Sequence, residues 1–306
     1  MIKLGIVGFG TIARSQHVAA IAASGNFELV AIADPALPEA DFPVFSDLTE
    51  MLASYPEIEA VSMCQPPGFR YAAARTAIEA GRHVMLEKPP VLTCEEGQAL
   101  LELARARGVA LFAAWHSRAA AGVPAARDWL ADTAIRSIKI EWKEDVRHWH
   151  PGQKWIWDEG GFGVFDPGIN ALSILTELLA DPVIFNSAEL QVPSNCAMPI
   201  AARMNMSGTA GFPIVALFDW RQTGPQTWDI RCETDQGTLV LSEGGARLAI
   251  DRVEVQAGSS DEYTNLYRRF AELAIARQAD VDLEPLRLVA RALSDGIVLQ
   301  TEPFEA

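Results

Sequence analysis

Along residues 1–115, apolar runs alternate with stretches of helical character. The runs predict strands at 3–7, 28–33, 60–64, 83–86 and 110–114. Helices are predicted between them, including 71–80, ended by Gly81, and 94–107, ended by Gly108. This alternation predicts a parallel sheet covered on both faces. The Pro-rich segment 35–43 is too short for a full helix and reads as a loop. From about residue 134 the period changes to two. Ile138, Ile140 and Trp142 fall on one face of a strand, and Lys139, Glu141 and Lys143 on the other. Similar strands are expected at 183–192, 201–207, 214–221, 227–234, 238–242 and 247–250, forming a large, mostly antiparallel open sheet. Helices are expected at 167–179, 261–277 and 284–300.

The first strand ends in Gly8-Phe9-Gly10-Thr11-Ile12-Ala13, the pattern G-x-G-x-x-A at a strand-to-helix turn. Gly8 permits the turn. Gly10 lets a pyrophosphate approach the backbone at a helix N-terminus, and Ala13 permits close helix–strand packing. The second strand ends in Asp34, where a carboxylate can bind adenosine ribose hydroxyls. The fold class expected is therefore α/β: a Rossmann dinucleotide-binding domain at 1–118, then an α+β domain at 119–306 for substrate binding and oligomerisation.

A length of 306 residues agrees with two domains. The net charge of -15 argues against nucleic acid as a partner. No apolar stretch reaches the length of a membrane span, and no signal peptide precedes the first strand, so a cytoplasmic protein is expected. Cys64, Cys94, Cys196 and Cys232 show neither disulfide-rich nor metal-binding spacing. His148 and His150 lack a matching Cys/His set, so no metal is expected.

Three clusters carry candidate chemistry. Glu87-Lys88-Pro89-Pro90 follows the fourth strand, which aims Lys88 at the ligand end of the sheet. Asp166-Pro167 reads as a helix start, with Asp166 at N-cap and Pro167 at N1, and Asn170 lies one turn on. All eight tryptophans lie between Trp115 and Trp228. Trp129, Trp142 and Trp220 are expected in the core, and Trp149 and Trp228 are candidates to line a site. Carboxylates and imidazoles gripping a polyhydroxyl rim, with an indole against the C–H face, would suit a sugar.

Together, Gly8-Phe9-Gly10, Glu87-Lys88-Pro89 and residues 160–170 resemble the glucose–fructose oxidoreductase/inositol dehydrogenase (Gfo/Idh/MocA) family, nearly end to end. Ala114-Trp115-His116-Ser117-Arg118 and the runs 142–147, 149–153 and 163–173 look like its aldose 1-dehydrogenase subgroup. Many family members carry histidine where this chain has Asn170, and an amide does not exchange a proton near neutral pH. The subgroup shares the Asn.

The resemblance implies oxidation of the anomeric C1–OH of a galactose-configured aldose (D-galactose, L-arabinose, D-fucose) to the 1,5-lactone. NAD is the cofactor expected, with NADP weaker. It implies Lys88, Asp166 and Asn170 as catalytic residues, with base chemistry falling on Asp166, Lys88 or a nearby group and Asp166 the first choice. The cofactor contacts implied are Gly8, Gly10, Thr11, Ile12, Asp34, Pro66, Glu87 and Lys88. The sugar contacts implied are His116, Glu144, Trp149, His150, Asn170 and Trp228. A homodimer through the C-terminal sheet is expected. A polyol or inositol dehydrogenase on the same fold, or a non-catalytic NAD-binding regulator, are the alternatives.

Overall fold

A computed structural model describes residues 1–37, 39–258 and 261–305. Residue 38 of the expected 35–43 loop lies outside the described residues. The chain divides into two compact units: Met1–His116 with Asp261–Leu283, and Ser117–Ser260 with Glu284–Ala306.

The first unit opens with β1 (Ile2–Val7), a π-helical turn at Ala13–His17, α1 (Val18–Ser24), β2 (Phe27–Ala33), β3 (Val44–Phe45) and α2 (Leu48–Ser54). It continues through β4 (Ala60–Met63), α3 (Pro67–Glu79), β5 (His83–Glu87), α4 (Cys94–Arg107) and β6 (Leu111–Ala114). The strands are apolar on both faces and buried on both: Leu4, Ile6, Val61, Met63, Val84 and Leu86 have no solvent exposure. Local chemistry sets the helix ends. Asp47 caps α2 through Glu50 N–H. Thr93 and Glu96 form a reciprocal capping box on α4, which stops at Gly108 in the left-handed region. Each such cap stabilises its helix by about 1 kcal/mol.

The second unit contains α5 (Val123–Ala131), β7 (Ile135–Lys143), the short α6 (Val146–Trp149) and α7 (Phe165–Leu178). A run of strands follows: β8 (Ile184–Pro193), β9 (Ala201–Ser207), β10 (Pro213–Asp219), β11 (Thr227–Thr234), β12 (Thr238–Ser242), β13 (Arg247–Ile250) and β14 (Val253–Ala257). The chain then forms α8 (Glu262–Ala276) and β15 (Ala279–Asp280) in the first unit, and α9 (Glu284–Asp295) and β16 (Ile297–Thr301) in the second. The first sheet is parallel, in the order β15-β6-β5-β4-β1-β2-β3. The second has nine strands, β14-β13-β12-β11-β7-β10-β9-β8-β16. It is antiparallel except at the β7–β10 and β8–β16 pairs.

Several expectations are corrected. A split at 118/119 assigns the helix at 261–277 to the second domain, but it packs in the first unit. Tyr267 and Phe270 of α8 meet Phe27 of β2 at ring distances of 5.6 and 5.3 Å, and Phe270 stacks near Phe112 of β6. Burying one such side chain fully stabilises by about 1.5–3 kcal/mol, and a helix covering a sheet face does so wherever it lies in the chain. The helix expected at 284–300 stops at Asp295. Beyond Gly296, the β-branched Ile297 and Val298 extend and pair in parallel with β8. β14 and β15 have no alternating burial to betray them. Asp166 is not the N-cap of α7. The helix begins at Phe165, and its cap position, Val164, carries no side-chain capping bond. The start is fixed by a distant backbone pairing, Val164 N–H to Pro199 O at 2.8 Å. Trp142 and Trp220 are core, whereas Trp129 is only half-buried.

Candidate active site

In the first unit, β1 ends at Gly8, whose φ is +84°. A Cβ there would stand 2.5 Å from Gln65 N, so the close approach of two loops requires glycine. A Cβ on Gly10 would meet nothing within 4 Å, so space is open above this backbone. Thr11 and Ile12, next in sequence, are exposed, and so is Pro66, which follows the Gln65 that Gly8 approaches. Asp34 follows β2. Its Oδ2 accepts from Phe9 N–H at 2.7 Å and its Oδ1 from Ala36 N–H at 2.9 Å. Each carboxylate oxygen has a second lone pair for a ribose hydroxyl. The open Gly10 backbone and the anchored Asp34 fit a dinucleotide's pyrophosphate and ribose.

Lys88 follows β5 directly. Its own N–H donates to Glu87 Oε2 at 2.7 Å. The buried Arg70 guanidinium donates to the carbonyls of Glu87 and Pro89. The backbone carrying Lys88 is thus held on both sides. The Glu87 carboxylate faces the interior and is 4 % exposed, so any part it has in holding a cofactor would fall to its backbone. Tyr263 Oη donates to Glu87 Oε1 at 2.7 Å, and His17 Nε2 at 3.2 Å. His17 Nδ1 reaches Tyr267 Oη at 2.7 Å, which also meets Ser62 Oγ at 2.9 Å. Burial opposes charge on Glu87, yet the His17 hydrogen bond and charge, with help from His116 and Tyr263, bring its pKa down to about 2. Burial likewise opposes charge on His17, but Cys64, Tyr267 and Glu87 push it well above its ordinary value. His116 belongs to this unit. Its Nδ1 lies 2.7 Å from Glu262 Oε2, and its ring stacks on Tyr263.

The second unit brings most of the expected sugar contacts together. Asp145 caps α6 by accepting from Arg147 N–H, and the helix delivers Trp149 and then His150. Trp142 and Trp228 face each other across β7 and β11 with stacked rings. Trp149, 41 % exposed, leans on Trp228 at 5.1 Å. Glu144, just beyond β7, is 2 % exposed. Its Oε2 accepts from Trp228 Nε1 at 2.9 Å and its Oε1 from Trp220 Nε1 at 3.3 Å. His150 Nε2 lies 3.5 Å from Glu144 Oε1, and its Nδ1 lies 3.8 Å from Asp166 Oδ2. Asp166 is buried in the first turn of α7, and Asn170 is half-buried one turn on. The cluster therefore presents an ionisable carboxylate, an imidazole, an amide and an exposed indole edge: hydrogen-bonding groups beside an apolar ring.

Sequence reasoning missed Trp220 as a partner of Glu144, because it was assigned to the core, where it also lies. It missed His17, Tyr263 and Tyr267 entirely. The two tyrosines, four residues apart on the apolar face of α8, were the signal available.

A family model described as the oxidoreductase family, NAD-binding Rossmann fold, matches residues 2–114. The chain is 45% identical over 303 residues to galactose 1-dehydrogenase of Pseudomonas fluorescens, covering 99% of this chain and 98% of that one. The crystal structure of a D-galactose-1-dehydrogenase protein from Rhizobium etli superposes with a TM-score of 0.96 at 50% identity, over 99% of this chain and 98% of that chain. A 3-ketoreductase from Actinomadura kijaniata, in complex with NADP and TDP-benzene, has a TM-score of 0.87 over 98% of this chain and 99% of that chain. At 18% identity it shares the fold alone. The chain belongs to the Gfo/Idh/MocA family of oxidoreductases, and its first unit is that family's NAD-binding Rossmann fold.

Proposed function

We propose that this protein is an NAD-preferring aldose 1-dehydrogenase that converts a galactose-configured pyranose to its 1,5-lactone. The observation that carries the reading is the cluster Glu144, Trp149, His150, Asp166 and Trp228 in one unit. Near-end-to-end similarity to two proteins named as galactose 1-dehydrogenases supports it. Bound NAD supplies the acceptor for the hydride that leaves C1. Asp166 takes the O1 proton, and general base catalysis of this kind is worth about 10²–10⁴-fold. Lys88 stabilises the negative charge that develops on O1. Asn170 orients the sugar by hydrogen bonding, since its amide does not exchange a proton. Glu144, His116 and His150 bind hydroxyls, and Trp149 and Trp228 cover the C–H face. The working form is a cytoplasmic homodimer built through the nine-stranded sheet.

The test is NADH formation with a panel of aldoses. D-Galactose, L-arabinose and D-fucose share O2 to O4 and are turned over. D-Glucose leaves a buried polar group unpaired at C4, which costs roughly 1–3 kcal/mol, and is used at least tenfold less efficiently. Equal kcat/KM for glucose and galactose refutes the specificity. Asp166→Asn and Lys88→Ala lose most of kcat while retaining NAD affinity. Wild-type kcat in Asp166→Asn removes it as the base.

A further inference from the structure

His150 has a feature that sugar binding leaves unexplained. Its Nδ1 is buried and has no hydrogen-bond partner among the described residues. With the nearest carboxylate oxygen, Asp166 Oδ2, 3.8 Å away and beyond hydrogen-bond distance, an N–H on Nδ1 forfeits its bond to water without making another in the substrate-free site. A lone pair on that nitrogen is the cheaper state. The other nitrogen, Nε2, lies 3.5 Å from Glu144 Oε1. Glu144 is an acceptor already engaged by two indole N–H groups. Both ring nitrogens face a carboxylate, Glu144 at 3.5 Å and Asp166 at 3.8 Å; the nearer one at Nε2 favours the tautomer with the proton on Nε2, which leaves Nδ1 as an acceptor. The nearest carboxylate oxygen to that acceptor is Asp166 Oδ2, 3.8 Å away.

We infer that His150 is a proton-relay and positioning residue acting through Asp166. The inference rests on the proposed reading of Asp166 as the base. As C1–H leaves as hydride to NAD, the O1–H bond breaks and its proton goes to Asp166. Asp166 passes that proton to His150 Nδ1 and is restored as a carboxylate. The imidazolium then has Glu144 at one nitrogen and Asp166 at the other, so its charge forms between two negative groups. Among the described residues these two carboxylates, from the end of β7 and from α7, are the ion-pair partners of His150. Arg147 on the neighbouring α6 is turned to Asp145, and the Trp220 ring lies 5.3 Å from the imidazole. The gap of 3.8 Å is longer than a hydrogen bond, and such catalytic contacts tighten when substrate binds.

Two experiments test this. The first uses nitrogen NMR on the wild-type protein with labelled histidine, without substrate, at a pH where His150 is neutral. The Nε2–H tautomer is expected, and an Nδ1–H tautomer overturns the inference whatever the enzyme's substrate proves to be. The second compares His150→Gln, which keeps a hydrogen-bond donor but cannot take up and pass on a proton, with Asp166→Asn and the double variant. A relay lowers kcat by roughly tenfold to a hundredfold with little change in KM, less than loss of the base itself. The double variant is then no slower than Asp166→Asn alone, because both residues serve one proton path. A raised KM with unchanged kcat, or independent multiplicative losses, makes His150 a sugar contact only. If His150→Gln does not fold, the tautomer decides. Wild-type kcat in Asp166→Asn is a failure of the base assignment and is recognised separately.

Discussion

A buried ion pair is worth as much as the groups that complete it, and Glu87 shows this at the scale of one residue. Its carboxylate has four donors or charges around it, three of them from residues far away in sequence. Its folded pKa, about 2, is below the ordinary 4.5. A depressed carboxylate stabilises the fold fully above its unfolded value, and that contribution is lost as pH falls through the folded one. Glu87→Gln is therefore less stable than wild type at neutral pH, and the gap narrows as pH falls from about 4.5 to about 2, followed by urea unfolding. A gap that stays constant over that range assigns the loss to packing. No sequence pattern revealed the inward turn of this side chain, because Tyr263 is 176 residues further along. The position of Asp34 at the end of an apolar strand was legible, and the structure anchors its carboxylate on Phe9 and Ala36 N–H; its ribose contact is part of the proposal. Its carboxylate would meet the 2′-phosphate of NADP as like charge. Arg14, a cation near the turn, lies over the Phe9 ring and donates to Phe9 O. Asp34→Ser with Pro35→Arg is expected to move the ratio of kcat/KM values toward NADP. An unmodified protein already favouring NADP would give Arg14, not Asp34, the deciding role.

At the scale of elements, what could be read followed from how local the determinant is. α4 runs over the expected 94–107 because Thr93, Glu96 and Gly108 all act within one turn of its ends. α7 begins earlier than Asp166-Pro167 suggested, because a backbone pairing with Pro199 sets its start. α7 also lies tight against β10. A Cβ on Gly168 would stand 2.9 Å from Phe218 Cδ1, and Phe165 meets the same ring edge-on. Since Asp166 sits between these two contacts, helix position and the position of the proposed base are one variable. Gly168→Val overpacks this seam at a cost of about 1–3 kcal/mol. It is expected to lower kcat by displacing Asp166 while NAD binding, a property of the other unit, stays unchanged. A variant with wild-type kcat would show that the helix yields elsewhere.

For the whole molecule, the change from helix-strand alternation to period two was plain in the sequence, and both sheets were expected. The path of the chain between them was not, because hydrophobic periodicity tells how a helix is buried and not against what. α8 carries a strong apolar face that would have suited either sheet. A fragment ending at residue 118 leaves the seats of Tyr263, Tyr267 and Phe270 empty. It is expected to be aggregation-prone and without a cooperative melting transition, whereas the same fragment joined by a flexible linker to 261–283 folds and binds NAD. A fragment 1–118 that melts cooperatively on its own would refute this.

The return of residues 261–283 to the first unit also sets an order of events during synthesis. The ribosome makes the nucleotide fold's first six strands early, but not the helix that closes it. At about 5–20 residues per second, the 144 residues from Ser117 to Ser260 intervene for something like 7–30 seconds. Throughout that interval the nascent sheet presents an open apolar face, while the later sheet emerges and can fold. The protein most exposed to chaperones and proteases is therefore the half-made one, and the nucleotide fold, whose strands are made first, is closed only after most of the other sheet has emerged.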